Sequence, residues 1–452
     1  ETCYPVKLIY GHMQQLIDQK VDYIFLPTIH TMKHEKSRVK HNYGCVYMQT
    51  AAASIAKALD IESKGITLLS PVFDLDFGQE AMASAMLGLS KILGIPKPFC
   101  AKALLSGAMA VRRHTAAVEK QGKALLATLR PDDKVLVLIT RNYGVSDPIL
   151  NMGIPELLLE RGYKVITLSH LPGHALDISD EYDNLYYPFG QHILSGAKLI
   201  AHHPNLYAVY LTNHGCGPDT MLSHLFKQEM GDKPYLQIEV DEHFSNVGVI
   251  TRIEAFLNSL NHRPVEVLPK DFVLEQVEIH PCHLPAVPEK DFPLWLPPLG
   301  EYTASLTGYF RAQGVDAHAL PHLGAHALSL GRAETGAKEY LPFPALLGGI
   351  LAQQEADPAP AQFLIPQTQG AEADGQYARV IRAVLDRRKE QNAQLISPML
   401  ETLPEMAQNC DALFRALLAG DILYAAPADK RADISAQWDA LPGWEQLHTA
   451  AR

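Results

Sequence analysis

Apolar runs short enough to be strands alternate with segments of helical period along most of the chain. Pro5 suits the first turn of a helix running to about Gln19, where a missing N–H costs nothing, and Val21 to Leu26 is fit for a buried strand. A polar, basic stretch from Thr31 to Asn42 separates this pair from a helix over Val46 to Leu59 and a second apolar run, Ile66 to Leu69. Further helices are predicted over Phe77 to Leu93 and Ala101 to Leu129. In the latter, Leu104, Leu105, Ala108, Val111, Val118, Leu125 and Leu129 fall largely on one face. Together these elements predict a first α/β lobe over residues 1–130, carrying Cys3 and Cys45.

A second lobe, 131–262, opens with the continuous apolar strand Lys134 to Thr140. The loop Arg141 to Pro148, a helix through about Arg161 and the strand Tyr163 to Leu168 complete a strand–helix–strand unit of parallel-sheet type. Leu206 to Thr212 is another buried strand, and it runs into His214-Gly215-Cys216-Gly217-Pro218-Asp219 before a helix over Thr220 to Met230. Open parallel sheets bind ligands beyond the carboxyl ends of their strands, which places Cys216 on that edge. Eight prolines between Arg263 and Leu299 predict an extended connector, 263–299. The remainder, 300–452, reads as a helix over Tyr302 to Ala312, a strand over Ala361 to Ile365, a charged helix over Gln376 to Gln391 and a mostly helical tail from Ala393. The expected fold class is α/β: two Rossmann-like parallel-sheet lobes followed by a mainly helical α/β C-terminal region.

Composition narrows the function classes. A chain of 452 residues, 47% apolar and 20% charged, exceeds what one hydrophobic core supports. A net charge of −11, from 39 basic and 50 acidic residues, with no basic run interleaved with aromatics, argues against nucleic acid as a partner. No run of about 18 apolar residues occurs, and Glu1 to Lys7 has neither the basic start nor the apolar core of a signal peptide, so the expectation is a cytoplasmic protein with no membrane partner. The absence of an initiating Met points to a trimmed chain or an excised portion. Six cysteines spread over this length do not make a disulfide scaffold, which turns attention to their chemistry.

Cys3, Cys45 and Cys216 each stand immediately before a predicted helix, two of them beside glycine. A thiol there meets unpaired backbone N–H groups and the positive end of the helix dipole, an environment expected to lower its pKa and to suit metal-ligating thiolates. Their spacings, 42 and 171 positions, match no compact metal signature, and burial as small apolar groups is the alternative. Cys100, in Lys97-Pro98-Phe99-Cys100, also opens a helix and is either a fourth ligand or a packed thiol. Cys282 lies between His280 and His283, a metal cluster in isolation but a surface loop in a proline-rich connector, and Cys410 is expected to pack on a helix. His30 and His34 lack the two-His-plus-Glu spacing of a zinc protease and read as solvated loop residues. His214 is either a polar neighbour of the Cys216 site or a turn residue, Asp219 a helix cap or a site residue, and Asn142 and Tyr143 turn formers or contacts to a phosphate or acyl group. No nucleophile with an adjacent base is apparent, so no catalytic residue is assigned.

The segments around these cysteines resemble a known family. Cys3-Tyr4-Pro5-Val6-Lys7, Tyr43-Gly44-Cys45, Thr212 to Asp219, Arg141-Asn142-Tyr143 with Asp147-Pro148 and Asn151 to Pro155, and Gln237 to His243 are similar to segments of the CoA-substrate-specific enzyme activase-related proteins, relatives of the 2-hydroxyacyl-CoA dehydratase subunits of anaerobic metabolism. The resemblance is closest over residues 1–260. It implies that Cys3, Cys45 and Cys216 ligate a 4Fe-4S cluster between Rossmann-like lobes, in an iron-sulfur electron-transfer or reductase component, dehydratase-like or ATP-coupled. It also implies an actin/Hsp70-like ATPase activase as a partner, an acyl-CoA or other small-molecule substrate and a dimer. No Walker-type phosphate loop occurs in the sequence, so the ATPase would be a separate chain or a missing domain. Downstream, Ala337-Lys338-Glu339-Tyr340-Leu341-Pro342 and Gly370 to Tyr377 correspond to two stretches that carry cysteine in the family. Both thiols are absent here, which limits the implied metal site to one and leaves a non-catalytic binding or scaffold module as the alternative.

Overall fold

The computed structural model describes residues 3–431 apart from 33, 35, 40, 41, 77, 214, 244, 265, 266, 270, 271, 322, 337, 338, 371, 401–409 and 428. It divides into two compact units, 1–282 and 283–452.

The first unit opens with α1 (Tyr4–Asp18), β1 (Tyr23–Phe25), β2 (Thr28–Thr31), α2 (Val46–Ala58), β3 (Thr67–Leu69), β4 (Val72–Asp74), α3 (Gln79–Leu93) and α4 (Lys97–Leu126). Strand β1 pairs with β3 and β2 with β4, both parallel. Their core gathers Met13 of α1, Ile24 of β1 and Ile55 of α2 with Ile61 and Ile66. The apolar stripe expected to bury α4 does not do so. Leu105 is 63% and Val111 67% exposed, and only Cys100 and Gly122 of the helix are buried. Gly122 is required because a Cβ there would collide with the His170 carbonyl oxygen.

There follow β5 (Val135–Ile139), α5 (Asn142–Ser146), α6 (Ile154–Glu160), β6 (Lys164–Thr167), α7 (Pro188–His202), β7 (Leu206–Asn213), α8 (Gly217–Met230), β8 (Leu236–Val240) and α9 (Asn246–Asn261). Their four strands form one parallel sheet in the order β6-β5-β7-β8. Every residue of β5 and of β7 is buried, as central strands covered on both faces by helices must be. Ile139 pairs with Tyr210, so the chain leaves β5 and β7 on the same edge, at Arg141 and Asn213. Tyr4 of α1 packs with Leu150 and Val240 on that edge, together with Tyr143, which brings the start of the chain to the carboxyl ends of the sheet.

The second unit holds β9 (Leu294–Leu296), α10 (Tyr302–Ala312), β10 (Ala317–Ala319), α11 (Ala325–Glu334), α12 (Pro342–Ala356), β11 (Ala361–Leu364), α13 (Tyr377–Arg388), β12 (Ala393–Ile396) and α14 (Cys410–Ala425). Its strands also form a four-stranded parallel sheet, β10-β9-β11-β12. Two elements correct the sequence reading. Strand β9 lies inside the supposed connector, fitted between Pro293 and Pro297 so that neither proline removes one of its N–H groups, with Leu294 and Leu296 fully buried. Strand β12 opens the tail expected to be helical; Ala393, Leu395 and Ile396 are buried beside β11. Helices α11 and α12 cross backbone to backbone: a Cβ on Gly331 would meet the Pro344 carbonyl oxygen, and one on Gly348 that of Ala327. No helix among the described residues is long and apolar enough to cross a membrane.

Candidate functional site

The three cysteines singled out by sequence are N-cap residues: Cys3 of α1, Cys45 of α2 and Cys216 of α8. Proline in the first turn, Pro5 in α1 and Pro218 in α8, fixes two of these starts. The third depends on Gly44, whose backbone N donates to the His30 carbonyl at 2.8 Å and whose Cβ, if present, would stand 2.7 Å from the Ile29 carbonyl oxygen. Gly215, with φ of 65°, supplies the left-handed turn that carries β7 into Cys216.

These helix starts are gathered around one buried cation. Arg141 leaves the carboxyl end of β5 and donates through Nη2 to Cys216 Sγ at 3.0 Å and to Asp219 Oδ1 at 2.9 Å. Its guanidinium lies 4.1 Å from the centre of the Phe189 ring. Its side chain is 9% exposed and that of Asp219 3%. The other carboxylate oxygen of Asp219 accepts from the Asn213 backbone N at 3.1 Å, and Asn213 Nδ2 donates to the Tyr143 hydroxyl at 2.9 Å. Cys3 interacts electrostatically with Arg141, Cys45 and Asp219, and Arg141 with Cys216 and Cys45. All three thiols are thus within electrostatic reach of one guanidinium. Two buried polar atoms beside it, Arg141 Nε and the Tyr210 hydroxyl, have no hydrogen-bond partner among the described residues, a costly arrangement that a bound polar group would relieve.

Burial, not the helix dipole, governs the free thiols. It pushes the Cys216 pKa well above the ordinary thiol value; Arg141 pulls it down, and Asp219 raises it again. At Cys3 burial likewise raises the pKa against the opposing pull of the Val6 backbone amide and Arg141. The expectation of acidic thiols is corrected at these two positions: removal from water costs a thiolate more than the helix start and one shared cation return. Arg141 stays cationic. Burial opposes its charge, and the interactions that raise its pKa, led by the Asp219 carboxylate, outweigh that penalty. Burial also raises the Tyr143 and Tyr210 hydroxyls, so both remain neutral.

Asp219 does not cap α8. It stands in the first turn with its carboxylate turned to Arg141 and the Asn213 amide. Tyr143 joins the same network, whereas Asn142 is exposed at the start of α5. Cys100 is buried within the first turn of α4, and Cys282 is half-buried, its backbone N bonded to the Asp180 carbonyl. Cys410 opens α14 and is exposed, contrary to the packing expected of it. Nor are the two histidines solvated loop residues: His30 lies in β2 with its Nδ1 3.1 Å from Asp74, and His34 is buried, its Nδ1 accepting from the Ser37 backbone N at 3.1 Å. His214 falls outside the described residues. Sequence reasoning missed Arg141, Phe189, Asn213 and Tyr210 as site residues. An arginine directly beyond an entirely apolar strand, at the ligand-binding edge of a parallel sheet, was the available signal for the first.

Residues 1–171 match the family model described as the CoA enzyme activase uncharacterised domain (DUF2229). The chain carries an activase-related domain. This span contains Cys3, Cys45 and Arg141, whereas Cys216 and Asp219 lie beyond it. Comparison with curated proteins and with solved structures returned no match. Among the described residues, no group of three His, Cys, Asp or Glu is placed to hold a single metal ion.

Proposed function

We propose that the activase-related domain and the sheet that follows it form an iron-sulfur electron-transfer or reductase component similar to the 2-hydroxyacyl-CoA dehydratase subunits, with Cys3, Cys45 and Cys216 holding one 4Fe-4S cluster. The observation that carries this reading is the convergence of three N-cap thiols from α1, α2 and α8 on the buried Arg141. Thiolates that hold a cluster stand on different irons and are more widely spaced than those sharing one ion, so a cluster places a different demand on these three thiols from a mononuclear centre. When bound, such a cluster supplies one-electron chemistry and, with three protein ligands, one iron open to an oxygen ligand.

The chain's own residues have definable roles in this reading. Metal coordination deprotonates a thiol outright, which overcomes the raised pKa of Cys3 and Cys216. Arg141 Nη2 donates to Cys216 Sγ and its charge offsets thiolate charge; Asp219 and Phe189 fix the guanidinium's orientation. Tyr210 and Arg141 Nε are the donors left for a substrate oxygen. An actin/Hsp70-like ATPase, as a separate chain or further domain, is the proposed electron-driving partner, an acyl-CoA the proposed substrate, and the cytoplasm the proposed compartment.

Anaerobic purification followed by iron and acid-labile sulfide analysis tests the proposal. About four irons and four sulfides per chain are expected, with strong loss in Cys45→Ser and Cys216→Ser. A folded, colourless, iron-free protein refutes it and favours the scaffold reading, to which the exposed Tyr340 in place of a family cysteine points.

A further inference from the structure

The second unit contains a cavity of about 410 Å³, within the range of small-molecule sites. One wall is a stripe along α10, from Tyr302 through Leu306 and Tyr309 to Gln313; Leu413 and Leu417, one turn apart on α14, face it. The stripe spans eleven residue steps of helix, about 16 Å. Apart from Lys290, Gln313, Thr368, Asp374 and the hydroxyls of Tyr302 and Tyr309, the lining is apolar, which favours an alkyl chain over a polar ring.

The ends of this slot differ in charge. All four strands are parallel, and α10 runs from the carboxyl end of β9 back to the amino end of β10. Asp374, which follows β11, therefore belongs to the carboxyl edge, near Tyr302. Lys290, which precedes β9, belongs to the amino edge, and its Nζ lies 3.6 Å from where a Cβ on Gly314 would stand, just past the end of α10. An exposed ammonium at one end and a carboxylate at the other give the slot a direction: an anionic head is attracted to the first and repelled by the second.

We propose that the second unit binds a medium-length aliphatic carboxylate, its chain lying along α10 between Leu306 and Leu417 and its head group at Lys290. This site is separate from the cysteine site and does not depend on the iron-sulfur reading. Octanoate titrated into the full chain by calorimetry is the test. One octanoate per chain is expected, with a Kd of about 1 mM or lower. Leu306→Trp and Leu417→Trp fill the slot from opposite walls and should each weaken binding at least about tenfold while circular dichroism shows the fold retained. Lys290→Glu should weaken octanoate and leave octanol unchanged. Absence of saturable binding by the unmodified chain overturns the proposal, as does unchanged affinity in a folded tryptophan variant. An unaltered octanoate affinity in Lys290→Glu overturns the head-group assignment. Iron content should be the same in every variant, which separates this outcome from that of the cysteine site.

Discussion

Substituting Asp219 by alanine removes both acceptor oxygens from the centre of the cysteine site. One holds Arg141 at 2.9 Å and the other the Asn213 backbone N at 3.1 Å. Arg141 is then left 9% exposed without its carboxylate, in a position where burial already opposes its charge. Breaking a buried pair by deleting one partner costs about 3–5 kcal/mol, and stranding a buried amide adds about 1–3 kcal/mol. The expected loss is therefore about 4–8 kcal/mol, a large part of the stability of a typical domain. Deleting the cation as well, in Arg141→Met/Asp219→Ala, removes the stranded charge and leaves mainly the amide penalty, so the double variant should recover about 3 kcal/mol of the loss. Deuterium uptake of the β7 peptide over a urea series reads this directly, because every residue of β7 is buried and its amides exchange through large-scale opening. A single-variant loss below about 1 kcal/mol, or strict additivity of the two substitutions, would refute the picture of one mutually dependent buried pair.

Three further outcomes are expected. Gly348→Ala should destabilise the second unit by about 1–3 kcal/mol or more, seen as a lower urea midpoint for its amides, because the added methyl meets backbone of α11, which cannot rotate aside. Burial pushes His192 and His203 down to about 4, neighbouring His34 and Lys233 respectively adding to it. The unfolded chain takes up these protons near pH 6.5 and the folded chain only near 4, so stability is complete above pH 6.5 and falls through that window by up to about 1.4 kcal/mol per pH unit for each histidine. His203→Gln should flatten the slope of urea midpoint against pH, and an unchanged slope would count against it. Finally, Lys198→Met leaves Glu181 and Glu229 facing each other without the ammonium that now lies 2.7 and 2.8 Å from them, and should lower thermal stability markedly at pH 7 and progressively less as the pH falls, because burial and Glu181 raise the Glu229 pKa and ease its protonation.

Local pattern was a good guide where one element answered to one physical demand. The unbroken apolar runs at β5 and β7 announced strands covered on both faces, and Pro5 marked the start of α1, whereas α8 begins at Gly217, three residues before the expected Thr220. The N-cap positions of Cys3, Cys45 and Cys216 could be read for the same reason. What could not be read depended on distant partners. Strand β9 has three residues between two prolines and becomes recognisable only beside β10 and β11. The stripe on α4 had the period of a buried face, yet periodicity does not say whether a second surface arrives to cover it. Thiol acidity was misjudged because the helix start is visible in sequence while the depth of burial is not. Arg141 was passed over because its three chief neighbours, Phe189, Cys216 and Asp219, lie 48 to 78 positions away.

The separation of the site's parts along the chain also sets a timetable. Cys216 is synthesised 213 residues after Cys3, which at about 5–20 residues per second is a delay of about 10–40 s. Until β5 and α8 have emerged, the Cys3 thiol has neither Arg141 nor Asp219 beside it and is not yet shielded by the burial that raises its pKa. It is therefore a more reactive nucleophile during synthesis than after folding, and closure of the second sheet over α1 is the event that ends its vulnerability to oxidants.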